Sequence, residues 1–138
     1  MTIIEKKENS MQDSFIDDEV LEFMWVTGEE QETTNLESLY NKFGKETVGV
    51  VLSAMVEKKL LTIHDSIIHL TETGRKKATP IIRRHRLAER LLNDVLGVSD
   101  EVFERGACQF EHFINEDITA SICMLLGHPT VCPHGKNI

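Results

Sequence analysis

From Phe15 onward, apolar residues recur at helical spacing. Ile16, Val20, Phe23, Met24 and Val26 predict a first helix ending near Thr27. Residues 1–14 before it are polar and aperiodic, and read as a frayed arm. After the polar loop GEEQETTN, Asn35 is placed to cap a second helix, LESLYNKF. Leu36, Leu39, Tyr40 and Phe43 share one face of it, and Gly44 ends it. KETVGVVLSAMVEKKLL predicts a third helix with Val48, Val51, Leu52, Met55 and Val56 turned inward. The pattern then changes: LLTI and IIHLT, separated by HDS, give a β-hairpin signal. A basic helix begins in ETGRKKATP, where Pro80 predicts a kink or a fresh start. IIRRHRLAERLLNDVLG is amphipathic and stops at Gly97. Ser99 or Asp100 caps EVFERGACQFEHFI, NED opens ITASICMLLG, and Gly127 terminates that last helix before the tail HPTVCPHGKNI.

Three helices followed by a hairpin is the order of a winged helix-turn-helix. Many small α+β domains share that order; the expected fold is mainly α with a small β-hairpin. With 138 residues and 41% hydrophobic content, a packed core is expected in one domain or two small ones. No apolar run approaches the roughly 20 residues that cross a bilayer, and the N-terminus has no apolar signal region. A cytoplasmic location without membrane contact is the expectation. Cys108, Cys123 and Cys132 are odd in number and widely spaced, which favours burial or metal binding over a disulfide framework.

The net charge of −8 argues against a polyanionic partner only if it is spread evenly. It is not. Residues 1–32 hold ten acids and two bases, residues 79–138 eight acids and six bases, but residues 33–78 five acids and seven bases. Any nucleic-acid contact belongs in that middle third.

ERGACQFEH sets Glu104, Cys108, Glu111 and His112 on one stripe of a helix. A solvated face accommodates the two acids and the imidazole, but cysteine sits poorly there because it is among the most buried residue types. Adjacent buried carboxylates are costly unless a cation intervenes, and Cys, His and Glu are common ligands of first-row divalent metals. HRLAE adds His85 and Glu89 four apart. Alone, that pair reads as a surface interaction of a few tenths of a kcal/mol. DDEVLE puts Glu19 and Glu22 on one face of the first helix, where acids also complement the helix dipole. With the other stripes present, these two become candidates for completing a metal site.

RRHRLAERLLNDVLGV followed by ERGACQFEH resembles the diphtheria-toxin-repressor family of metal-dependent transcriptional regulators, of which the manganese transport regulator is a two-domain member. LTETGRKKA in the wing region fits as well. The resemblance implies an N-terminal winged helix-turn-helix at 1–78 and a C-terminal helical dimerisation and metal-binding domain at 79–138. It implies metal ligands at His85, Glu89, Cys108, Glu111 and His112, at Glu104 where iron-type members have His, and at Glu19 and Glu22 as manganese-type carboxylates. It also implies a homodimer that binds a double-stranded DNA operator as a repressor, with no small-molecule substrate. The thiol at Cys108 favours Fe²⁺, with Mn²⁺ as the alternative. The implied DNA contacts are Lys42, Lys45, Thr47, Gly49, Ser53 and Arg75, although KETVGVVLSAM contains no Arg, Asn or Gln, the residues that most often read base edges.

Two other readings stay open. Cys108, Cys123 and Cys132 offer an iron–sulfur or redox-sensing set, and the plain third helix suits a metal-binding protein of this fold without DNA contact. An enzyme is not expected, since no nucleophile elbow, phosphate loop or HExxH motif is present.

Overall fold

The computed structural model describes the backbone of residues 3–31 and 33–138, and side chains from residue 15 onward except those of residues 32, 103 and 104. The chain divides into two compact units, Met1–Thr79 and Pro80–Ile138. It is mainly helical, with one small antiparallel sheet.

The first unit begins with α1, Ile3–Gln31. The frayed arm expected over 1–14 is thus helical from Ile3. Its Glu, Lys, Met and Gln residues are intrinsically good helix formers even without an apolar stripe. Further along, Val20, Leu21, Met24 and Thr27 bury one face at helical spacing. β1, Thr34–Asn35, is two residues long, too short to leave a periodic signal. α2, Leu36–Phe43, is capped as expected: the Asn35 carboxamide oxygen accepts from Ser38 N at 2.8 Å. Gly44, at φ +85°, separates it from α3, Lys45–Glu57. α3 buries Val48, Leu52 and Met55, while Val56, expected inward, is exposed. Phe23 and Phe43 meet edge to face at 5.8 Å.

β2, Leu61–His64, and β3, Ile67–Leu70, form the expected hairpin, and β1 adds to its other side to give the order β1-β3-β2. Asp65 and Ser66 both take positive φ, the requirement of a two-residue hairpin turn whose twist matches the strands. Gly74 explains the TETG that follows the hairpin. A Cβ there would stand 1.9 Å from the Leu60 carbonyl oxygen, so only glycine admits this approach. Thr71 fastens the same corner, donating to Lys59 O and accepting from Gly74 N.

α4, Glu72–Arg90, runs through Pro80 as one helix, so the expected fresh start is absent. Proline in a helix interior costs about 3 kcal/mol. Burying Ile81 and Ile82 beside it contributes roughly 1.5–3 kcal/mol each, enough to keep the helix whole. A π turn, Leu91–Val95, ends this helix with Leu96 N bonding Leu91 O.

In the second unit α5, Asp100–Glu111, starts after Ser99, and α6, Glu116–Leu125, is capped by the Asn115 side chain accepting from Ile118 N. Gly127, at φ +73°, closes α6 while His128 N bonds Cys123 O, the pattern of a Schellman end. Leu87, Ile114 and Ile122 form the core, with Leu91, Cys123, Leu126 and Ile138 packed on it. The tail turns back on itself through the Val131–Asn137 bridge and the Cys132 N to Lys136 O bond. Two arginines of α4 hold it: Arg86 donates to Asn137 O and Arg90 to Val131 O at 2.7 Å.

Candidate metal centre

α4 points His85 and Glu89 the same way, four residues apart, and α5 brings Glu111 to them. Glu111 Oε2 lies 2.6 Å from His85 Nδ1, and Glu89 Oε1 lies 3.2 Å from His85 Nε2. Both carboxylates are buried, Glu89 5% and Glu111 1% exposed. A neutral imidazole carries one N–H, so it can donate to only one of two flanking carboxylates. The trio therefore needs extra positive charge, as a proton on His85 or as a cation.

Glu111 Oε1 sharpens that need. It is buried and accepts no hydrogen bond from the described residues. His112 Nε2 stands 4.0 Å from it, beyond hydrogen-bonding distance. Two ligand atoms on one divalent ion, each at about 2.1 Å, stand roughly 3–4 Å apart. The donor set fits a metal on the Glu111 side of His85, while Glu89 faces the other ring nitrogen.

The tail contributes a grouping that the sequence reading did not assign. Glu89, Cys132 and His134 offer ligand atoms all within 4.8 Å of one another, with His134 Nδ1 3.5 Å from Glu89 Oε1. The signal available was a Cys-Pro-His triplet. Its meaning depends on the tail folding back to α4, which two backbone-bonding arginines bring about. Burial pushes the Glu89 carboxyl up. The His85 hydrogen bond and charge, His134 and the Cys132 thiol more than offset this and hold it below the usual carboxylate range.

Of the other assigned ligands, Cys108 is half-buried on α5, one turn before Glu111 and His112. The Glu104 side chain lies outside the described residues. Glu19 and Glu22 lie on α1 in the first unit, one turn apart and half-buried.

The three cysteines of the iron–sulfur reading lie in different places. Cys108 is on α5. Cys123 Sγ contacts His128 Nδ1 at 3.4 Å and packs on the core, and Cys132 sits with Glu89 and His134. Among the described residues, no grouping of metal-ligating atoms contains two cysteines. The thiols have three different sets of near neighbours.

Lys42, Lys45, Thr47, Gly49, Ser53 and Arg75 are all exposed in the first unit. Lys45 Nζ lies 5.9 Å over the Tyr40 ring, and Ser53 Oγ donates back to Gly49 O.

Residues 71–138 match a family described as iron dependent repressor, metal binding and dimerisation domain. The iron-dependent repressor IdeR of Mycobacterium tuberculosis is 41% identical over 93 residues, which span 67% of this chain and 40% of the relative. The diphtheria toxin repressor of Corynebacterium diphtheriae is 32% identical over 93 residues, 67% of this chain and 41% of the relative. The chain belongs to the diphtheria-toxin-repressor family. Both of these relatives are described as repressors. A solved structure described as a manganese-dependent transcriptional repressor in complex with manganese superposes with a TM-score of 0.78 at 28% identity, covering 88% of this chain and 57% of the other. The chain thus spans about 40% of the length of the curated family members it matches. No helix among the described residues is long and apolar enough to cross a membrane.

Proposed function

We propose that this chain is a metal-dependent DNA-binding regulator of metal homeostasis, loaded with Fe²⁺ or, alternatively, Mn²⁺. The observation that carries the reading is the buried Glu89–His85–Glu111 trio with an unbonded oxygen on Glu111. Such a cluster is poorly balanced until a cation enters it. His85, Glu89, Cys108, Glu111 and His112 are the proposed ligands of the second unit, with Cys132 and His134 forming a second site that shares Glu89. Glu19 and Glu22 are assigned as further ligands on the strength of their carboxylate chemistry and their spacing on α1. Glu104 is assigned by its place one turn before Cys108.

Bound there, the ion supplies the positive charge that offsets the carboxylates. Arg86 and Arg90 hold the tail so that Cys132 and His134 stay beside Glu89. The two thiols shift preference toward Fe²⁺ over the harder Mn²⁺.

The first unit is assigned as a winged helix-turn-helix, with α3 as the recognition helix and β2–β3 as the wing. Lys42, Lys45 and Arg75 supply exposed charge for phosphates, and Thr47, Gly49 and Ser53 lie on the exposed part of α3. A homodimer is supported by the exposed apolar residues Leu96, Val102, Phe113, Met124 and Leu125 of the second unit, which a second copy would cover. In the working state the metal shifts the population toward the DNA-competent dimer.

An anaerobic series of dissociation constants for Mn²⁺, Fe²⁺ and Zn²⁺, run with gel-shift assays with and without each metal, tests the reading. Fe²⁺ binding tighter than Mn²⁺, together with metal-dependent, salt-sensitive DNA binding, is expected. Tighter Mn²⁺ binding overturns the metal assignment. Tight metal binding without DNA affinity makes the chain a metal-binding protein of this fold instead.

A further inference from the structure

α3 buries Val48, Leu52 and Met55, so its opposite side carries Glu46, Val50 and Ser53 at spacings of one and two turns. Val50 is 75% exposed at the middle of that outward stripe. A single exposed valine is ordinary surface, but this one has unusual neighbours. Beside it Gly49 presents no side chain, and a Cβ there would meet nothing within 4 Å, so the packing of this chain does not require glycine. The absence of a side chain leaves the helix backbone open to close approach from outside. Exposed Lys42 and Lys45 flank the start of α3, in the only third of the chain with a positive balance.

The stripe has no group that can make a two-pronged hydrogen bond to guanine or adenine. Ser53 already spends its hydroxyl hydrogen on Gly49 O at 2.8 Å. What remains is acceptor capacity, at Glu46 and Ser53, and an apolar knob at Val50. In the major groove the matching features are the cytosine amino group, a donor, and the thymine C5-methyl, an apolar projection. Glu46 is repelled by phosphates, so it has to face base edges rather than the backbone if α3 enters the groove. The lysines at the start of the helix supply the phosphate attraction.

Resting on the reading of this chain as a DNA-binding regulator, we propose that Val50 is a specificity-determining residue that reads a thymine C5-methyl in the major groove of the operator. Removing one buried methyl from such a contact lowers affinity about three- to fivefold.

The test uses the full metal-loaded chain. Its preferred duplex is obtained by selection from a random library, and uracil is then placed at each thymine in turn, which removes the methyl and nothing else. The wild type loses about three- to fivefold at one or two thymines per half-site, and Val50→Ala loses that sensitivity while keeping the same salt dependence. Val50 lies on the exposed side of its helix, so the alanine variant retains the fold. A wild type that selects a sequence yet ignores every uracil, or a Val50→Ala protein with an unchanged uracil penalty, overturns the inference and leaves the regulator reading standing. A metal-loaded chain without DNA affinity overturns both.

Discussion

Glu111→Gln keeps the shape of the side chain while removing one charge and one strong ligand oxygen. In the metal-free protein two effects oppose each other. The carboxylate bond to His85 at 2.6 Å, worth about 1.5–3 kcal/mol if charge-assisted, is weakened. A carboxylate that is 1% exposed, with one oxygen unbonded, is also removed, and burying such a charge costs several kcal/mol before its partners compensate. These nearly cancel, so the metal-free melting temperatures of wild type and variant should differ by less than about 5 °C. With metal the balance changes. At a thousand times the wild-type Kd, binding adds about 4 kcal/mol of stability. Changes to groups that merely orient metal ligands cost 10–100-fold in affinity, so loss of a ligand should cost about a hundredfold or more. The variant would then gain only about 1.4 kcal/mol at the same concentration. The difference, about 2.7 kcal/mol, corresponds to a metal-induced rise roughly 8–15 °C smaller. Anaerobic thermal unfolding with and without Fe²⁺ measures it, with Glu116→Gln as the control, an exposed acid on α6 paired with Arg83. A Glu111→Gln protein with an undiminished metal-induced rise refutes the reasoning.

Gly74→Ala should destabilise by about 2 kcal/mol or more in urea titrations, because its Cβ would stand 1.9 Å from a backbone oxygen, whereas Gly49→Ala should be neutral or stabilising by up to about 1 kcal/mol. Cys132→Ser combined with His134→Ala should lower the metal content of the loaded protein by one equivalent per chain in elemental analysis and leave the His85–Glu111 site occupied; unchanged stoichiometry counts against a second site. Because the Glu89 carboxyl is held below its usual range in the folded state, its contribution to metal-free stability is complete above the ordinary glutamate value of about 4.3 and is lost as pH falls through the folded value. Glu89→Gln should therefore flatten that acid limb in pH-dependent unfolding, and an equally steep limb would contradict the assignment.

Much of this arrangement was legible in the residues. Asn35 and Asn115 cap helices because a short carboxamide reaches the backbone N–H three residues on, and that is a local property. The stripe of Cys108, Glu111 and His112, and the His85–Glu89 pair, follow from helical spacing alone. Other features depend on context that spacing does not encode. β1 exists only because β3 lies beside it. Pro80 stays in α4 because neighbouring burial outweighs a local penalty. The π turn at Leu91–Val95 leaves no mark on hydrophobic periodicity. Cys132 and His134 join Glu89 through a tail held by hydrogen bonds from Arg86 and Arg90 to backbone carbonyls. Those contacts are indifferent to the side chains of their partners, so the sequence carries little trace of them.

The central claim is that a divalent cation bound at His85 and Glu111 turns DNA binding on. Its most direct test titrates metal-free protein with Fe²⁺ under anaerobic conditions while metal content and affinity for the selected duplex are measured on the same samples. The account predicts weak binding without metal and a rise of about tenfold to a hundredfold that tracks metal uptake and is lost in Glu111→Gln. Equal DNA affinity at zero and full metal loading would contradict it.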